Sequence, residues 1–280
     1  MTAQPKTMAY GEGQISYHEM GEGEPLFMLH GSGPGVTAWM NFGGNLPVFA
    51  EHYHCIAPDL PGYGGSTGIP GDPIGEAAKA VLHMMDQMGI GSAYLLGNSY
   101  GAMVAARFAA DYPDRIRKMV TIGGIGVPLF STFPYEGIAR LSEFVENPTR
   151  EQIVAWLRSM VYDPAIVTEE LIETRLATAS EPAAQETNKR MYSRAVLDAI
   201  AGAMRGPDAV QGFAHFPKIQ APTLMTWGRD DRVNPLDIAL LPMRLIPNCE
   251  LHVFPRCGHW AMIEQKDAFE QVVLGFLQRD

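Results

Sequence analysis

The chain has 280 residues, 46% of them hydrophobic and 19% charged, with a formal net charge of −10. That length can bury a full core without disulfides or metals, and the composition is too apolar for a disordered chain. The acidic balance leaves no basic face large enough to hold a phosphate backbone, which excludes nucleic acid as an expected partner.

The first third alternates short apolar runs with glycine and proline turns. Strands are predicted at 15–20, 25–29 and 54–57, the last two apolar throughout, as suits a sheet covered on both faces. Asp72-Pro73 has the form of an N-cap followed by proline at the first helical position. Ile74, Ala77, Val81, Met84, Met85 and Met88 then recur at helical spacing as far as Gly89, and core packing explains that methionine stripe. Further strands are predicted at 93–96, 118–122, 223–226 and 251–254. Strands alternating with helices imply a mainly parallel sheet with helices on both faces. From about Gly124 to about Pro217 strand signals nearly vanish, and amphipathic helices are predicted around 151–160, 168–178 and 186–204. This divides the chain into a core of residues 1–123 and 218–280 and an inserted helical lid of residues 124–217. The lid's large apolar residues, Phe130, Phe133, Trp156, Met160, Met191 and Met204, have two readings, facing a pocket or packing the lid's own core, and most are expected in the core.

The opening Met-Thr-Ala-Gln-Pro-Lys lacks the apolar centre of a secretory signal, and no stretch is apolar over a bilayer's width. A cytoplasmic protein without a membrane partner is therefore expected. Cys55, Cys249 and Cys257 have no paired metal-type spacing and read as reduced thiols, Cys257 as a small buried residue.

The chemistry concentrates in three places. The strand Ala93-Tyr94-Leu95-Leu96 runs into Gly97-Asn98-Ser99-Tyr100-Gly101, followed by an alanine-rich helix former that Tyr112-Pro113 stops. Small residues two before and two after a serine let the chain make the sharp turn that exposes a nucleophile. The alternative for this pentapeptide is a helix N-terminus whose serine merely caps. A serine hydroxyl needs a base, and the base needs an orienting acid. Two acids, Asp230 and Asp231, sit in the turn after the strand 223–226, and residue chemistry alone does not separate them. His259 follows the strand 251–254 and Gly258. The other histidines considered, His30, His52, His54 and His252, have better structural explanations. An oxyanion site requires two backbone N–H groups: Tyr100, after the nucleophile, and Ser32, in the loop His30-Gly31-Ser32-Gly33-Pro34-Gly35. Gly31 and Gly33 of that loop are expected to border the substrate. The loop lacks the lysine of a P-loop and the spacing of a dinucleotide fingerprint.

With the order serine, acid, histidine in place, the chain resembles the α/β-hydrolase superfamily over nearly its whole length, and within it the meta-cleavage-product hydrolases. The residues that carry the resemblance are His30-Gly-Ser-Gly-Pro-Gly-Val-Thr-Ala-Trp-Met-Asn41, Gly97-Asn-Ser-Tyr-Gly101, Trp227-Gly-Arg-Asp-Asp231 and Arg256-Cys-Gly-His-Trp260. It implies an α/β-hydrolase fold and selects Asp231 over Asp230. It departs at Ala102, where a second glycine is common, and at Tyr100, often methionine, a change expected to reshape the pocket without removing the backbone donor.

The resemblance further implies hydrolysis of a carbon–carbon bond in a 2-hydroxy-6-oxo-hexa-2,4-dienoate, giving 2-hydroxypenta-2,4-dienoate and a carboxylic acid, with no cofactor and no metal. The segment from Tyr162 to Arg175 resembles the family's stretch ending in a carboxylate-binding arginine. Arg175 is therefore nominated, against two alternatives: pairing with Glu170 or Glu173, and Arg190 as the binder. Asn41 and Asn98 resemble the polar residues beside the dienoate, and Trp260 the aromatic neighbour of the base. A homo-oligomer is the default expectation. The rivals are a carboxylesterase of the same fold and a small-molecule receptor. Direct attack by serine and attack by water through a gem-diol remain open.

Overall fold

A computed structural model describes residues 4–207 and 209–279. Among the described residues eight strands form one sheet: β1 (Lys6–Tyr10), β2 (Gly13–Met20), β3 (Glu24–Leu29), β4 (Tyr53–Pro58), β5 (Ala93–Asn98), β6 (Ile116–Ile122), β7 (Thr223–Gly228) and β8 (Cys249–Phe254). Their spatial order is β1-β2-β4-β3-β5-β6-β7-β8. β1 and β2 pair antiparallel, as do β2 and β4, and every other neighbouring pair is parallel.

Alternate residues of the central strands feed two apolar layers. Leu26 and Met28 of β3 face one side, with Leu96, Val120 and Leu224. Phe27 and Leu29 face the other, with Leu95, Met119 and Met225. Both layers are buried and apolar, which is why these strands read as continuous apolar runs rather than alternating ones. Edge strand β1 keeps most of its residues in water, and so carried too little pattern to be foreseen.

Among the described residues twelve α-helices cover the sheet and its carboxyl edge. In chain order they are α1 (Ala38–Phe42), α2 (Leu46–Phe49), α3 (Pro73–Gln87), α4 (Tyr100–Asp111), α5 (Glu136–Glu146), α6 (Arg150–Met160), α7 (Glu169–Ala179), α8 (Pro182–Tyr192), α9 (Arg194–Arg205), α10 (Leu240–Leu245), α11 (Ala261–Glu264) and α12 (Lys266–Leu277). The foreseen N-cap of α3 is present: the Asp72 carboxylate accepts from the Ile74 N–H at 3.2 Å, with Pro73 as first helical residue.

Helices α5–α9 lie between β6 and β7. Sequence reasoning missed α5 and ran 186–204 as one helix. Ser193, extended at ψ 151°, divides that run into α8 and α9. Trp156 is buried, but Phe130 is 84% exposed and Met204 40%. Among the described residues no helix is long and apolar enough to cross a membrane.

The order of strand addition reverses at β3, which is flanked by β4 on one side and β5 on the other. In such sheets the loops at the strands' carboxyl ends part at this point and leave a crevice. Register places Leu29 opposite Gly97, Asn98 opposite Ile122, and Gly228 opposite Phe254, so the loops that follow these strands emerge along one edge.

Candidate active site

Ser99 leaves β5 at φ 52°, ψ −110°, a conformation that costs about 1–3 kcal/mol for a residue with a side chain. Close backbone packing holds it there. A Cβ on Gly97 would lie 2.3 Å from the Gly101 carbonyl oxygen, and one on Gly101 would lie 2.0 Å from that of Leu29. The Ser99 N–H donates to Ile122 O at 2.9 Å, tying the turn to β6. α4 begins at the next residue and presents its amino end to the serine.

Asp231 sits in the turn after β7. Its Oδ1 accepts from the Val233 and Asn234 N–H groups at 2.8 and 2.9 Å, which leaves Oδ2 to accept from His259 Nδ1 at 2.7 Å. Both residues are buried. A carboxylate at Nδ1 fixes the tautomer that carries its proton there and leaves Nε2 as the basic nitrogen. Asp230 turns away to Arg229, 3.2 Å distant, which separates the two acids that residue chemistry could not. Ser99 and His259 line one cavity. Among the described residues the Ser99 hydroxyl makes no hydrogen bond, a looseness usual in catalytic pairs without substrate.

Loop 30–35 closes the other wall. His30 donates from Nδ1 to Gly31 O at 2.5 Å and accepts the Leu60 N–H on Nε2 at 2.8 Å. Burial lowers its pKa, so this imidazole is a neutral structural strut. The Gly31 N–H donates to Asn41 Oδ1 at 3.1 Å, and Asn98 Nδ2 donates to the same oxygen at 3.0 Å. The two asparagines thus link the loop to the serine turn. Both line the cavity, and Asn98 Oδ1 is buried without a partner. Among the described residues the Ser32 and Tyr100 N–H groups donate to no protein acceptor, so both remain available to a ligand.

Two expectations need correction. Gly33 does not line the Ser99 cavity. At φ 124° it lies beneath Trp156, where a Cβ would come within 2.8 Å of the indole, and it borders a neighbouring cleft of about 430 Å³. The Tyr100 ring does not reshape the cavity either; its hydroxyl donates to Pro73 O at 2.8 Å and binds α4 to α3.

Arg175 of α7 is 3% exposed and lines the Ser99 cavity. Its Nη1 donates to Pro34 O at 3.0 Å, and the guanidinium lies 5.7 Å from the Trp260 ring centre and 6.0 Å from that of Trp156. Among the described residues no carboxylate pairs with it, and its Nε is buried without a partner. Burial lowers its pKa to about 10. Arg190 instead stands in the 430 Å³ cleft and donates to the Ile69 and Gly71 carbonyls at 3.4 and 3.3 Å. Glu173 reaches Arg150, not Arg175.

Sequence reasoning missed Val36 and Tyr192, and left Trp156 and Met160 open between a pocket and the lid's own core. Val36, Trp156 and Met160 line the cavity. The Tyr192 hydroxyl hydrogen-bonds that of Ser32 and so joins α8 to loop 30–35. Spacing could have flagged Trp156 and Met160, one turn apart on α6, but their facing a cavity depends on how α6 seats. The cavity is about 10 Å³, room for one water. Among the described residues no group of three or more His, Cys, Asp or Glu side chains is placed to hold a metal ion.

A strained serine at a strand-to-helix turn, with an acid-paired histidine at the same sheet edge, defines an α/β hydrolase, and the profile of the α/β hydrolase fold family matches residues 24–266. The 2-hydroxy-6-oxo-6-phenylhexa-2,4-dienoate hydrolase of Burkholderia cepacia is 38% identical, over 94% of this chain and 91% of its own. A 2-hydroxy-6-oxononadienedioate/2-hydroxy-6-oxononatrienedioate hydrolase of Burkholderia vietnamiensis is also 38% identical, over 95% and 91% of the two chains. Among solved structures, a meta-cleavage product hydrolase from Pseudomonas fluorescens, a serine-to-alanine variant complexed with acetates, superposes with a TM-score of 0.85 at 31% identity over 97% of each chain. The chain belongs to the meta-cleavage product hydrolases of the α/β-hydrolase fold.

Proposed function

We propose that this protein is a cytoplasmic, homo-oligomeric hydrolase that cleaves a carbon–carbon bond in a 2-hydroxy-6-oxo-hexa-2,4-dienoate carrying an aryl or alkyl group on its ketone carbon. The observation that carries the reading is Arg175, a buried guanidinium with no carboxylate paired to it among the described residues, on the wall of the cavity that Ser99 and His259 share. A buried cation is costly unless something pairs with it, and a carboxylate fits its fork with two parallel hydrogen bonds. The three free, largely buried cysteines suit a reducing compartment.

The dienoate end lies against Arg175, Asn41 and Asn98, with Trp260 beside it. The dienol first becomes its keto form, the 2-hydroxyl proton being lost and a proton gained at carbon 5. That shift lets the departing fragment leave as a stabilised enolate. His259 Nε2 takes the Ser99 proton as the hydroxyl attacks the ketone at carbon 6, and Asp231 stabilises the imidazolium. The Ser32 and Tyr100 N–H groups receive the developing oxyanion. Breaking the bond between carbons 5 and 6 releases 2-hydroxypenta-2,4-dienoate, and water then frees the carboxylic acid from Ser99.

Residues 124–217 act as the lid over a core of 1–123 and 218–280. A 10 Å³ cavity cannot hold a dienoate, so α6–α8 shift to admit it. The test is loss of the yellow dienoate absorbance on mixing with enzyme, run beside a p-nitrophenyl ester. Turnover of the dienoate is expected; turnover of the ester alone would make this a carboxylesterase, which has no use for Arg175.

A further inference from the structure

Glu264, the last residue of α11, is half-buried and has no part in the chemistry above. Its two oxygens accept from two different segments. Oε1 accepts the Gly258 N–H at 2.8 Å, and Oε2 the Tyr162 N–H at 2.6 Å. Gly258 immediately precedes His259. Tyr162 lies two residues past α6, the helix whose Trp156 and Met160 roof the cavity.

The two segments also touch directly. The His259 N–H donates to Met160 O at 2.7 Å. A Cβ on Gly258 would sit 2.6 Å from that oxygen and 2.8 Å from Val161 Cα, so only glycine allows the approach. Among the described residues no Lys or Arg pairs with Glu264. Burial pushes its pKa up, while backbone N–H groups of Tyr162, Gly258, Trp260 and Asp163 pull it back. Its bonds therefore go to main-chain amides on both sides of one seam. The Asp231 bond sets which imidazole nitrogen is protonated, but the ring's height above Ser99 follows the loop that carries it.

We propose that Glu264 is a positioning residue that registers the His259 imidazole to α6, so that the base stands at its working distance from Ser99 only while the roof helix is seated. The inference rests on the hydrolase reading above. Its experiment therefore uses a probe that does not need the dienoate: the second-order rate of Ser99 phosphonylation by a fluorophosphonate, with Ser99→Ala as the blank, alongside kcat and KM on the dienoate.

Glu264→Gln keeps the size and one acceptor but sets an NH₂ against an N–H, whereas Glu264→Ala removes both acceptors. Phosphonylation and kcat are expected to fall together, about 10-fold in Gln and about 100-fold in Ala per folded molecule, the scale of a misplacement near 1 Å. KM is expected to stay within about threefold, because the dienoate anchor is untouched. If the alanine variant does not fold, the glutamine variant decides. Phosphonylation and kcat within about twofold of the parent in Glu264→Gln, or a loss wholly matched by unfolded protein, overturns the proposal. A parent enzyme that is phosphonylated but leaves every dienoate intact refutes the substrate reading instead, and the glutamine variant's labelling rate then judges Glu264 alone.

Discussion

The loops at the carboxyl ends of the strands and the helices between β6 and β7 supply one cavity by different means. The loops place Ser99, Asp231 and His259 through backbone geometry: glycines pressed against carbonyls, a strained serine, a carboxylate holding two amides. The helices place Arg175, Trp156 and Tyr192 through side chains that reach across to Pro34, the cavity and Ser32. Parts fixed by the main chain are expected to hold their geometry whether or not substrate is present. Parts delivered by packed helices are expected to move aside more readily, and the cavity they close has the space of one water.

Breaking the loop side costs most. Ser99→Ala is expected to lower kcat on the dienoate by about 10³-fold or more while product binding stays near the parent value. Near-normal turnover would remove Ser99 from the chemistry. On the helix side, Arg175→Met is expected to cut kcat/KM about 100-fold on carboxylate-bearing dienoates and little on neutral esters, the worth of a charge-assisted bidentate contact. Because burial already disfavours that cation, the same variant is expected to match the parent's melting temperature or exceed it by about 2 °C. A fall of several degrees, with equal losses on both substrates, would make Arg175 structural.

His30 sharpens the contrast through pH. Its ordinary value of 6.5 is lowered by burial, so as pH falls the unfolded chain takes up this proton before the folded one. Stability present above about pH 6.5 is therefore lost as pH drops toward the lower folded value. His30→Gln is expected to flatten the fall of melting temperature as pH drops below about 6.5, and an unchanged slope would defeat the strut assignment. The smallest effect is reserved for Arg190→Gln: because Arg190 stands outside the Ser99 cavity, kcat/KM is expected to stay within about twofold. A 100-fold loss there would exchange the two arginines' roles.

Legibility followed the same divide. The serine turn, the base and the acidic turn are local patterns tied to strand ends, so residue type and spacing announced them. Even Asp231 over Asp230, open to residue chemistry, came down to which carboxylate the turn aims inward at His259. The helical span was harder. The break at Ser193 carries no glycine or proline, α5 follows a loop of mixed composition, and Phe130 looks like core until its neighbours are known. Gly33 was assigned to the substrate together with Gly31, yet its missing side chain makes room for Trp156. Tyr192 had no local signal, because its partner Ser32 lies 160 residues away.

The solitary charge of Arg175 has a practical corollary. A guanidinium walled in by two indoles draws any small anion that slips past the helices, and formate, acetate or bicarbonate in the medium would sit where substrate belongs. Apparent affinities gathered in carboxylate buffers and in zwitterionic ones would then describe two differently occupied enzymes.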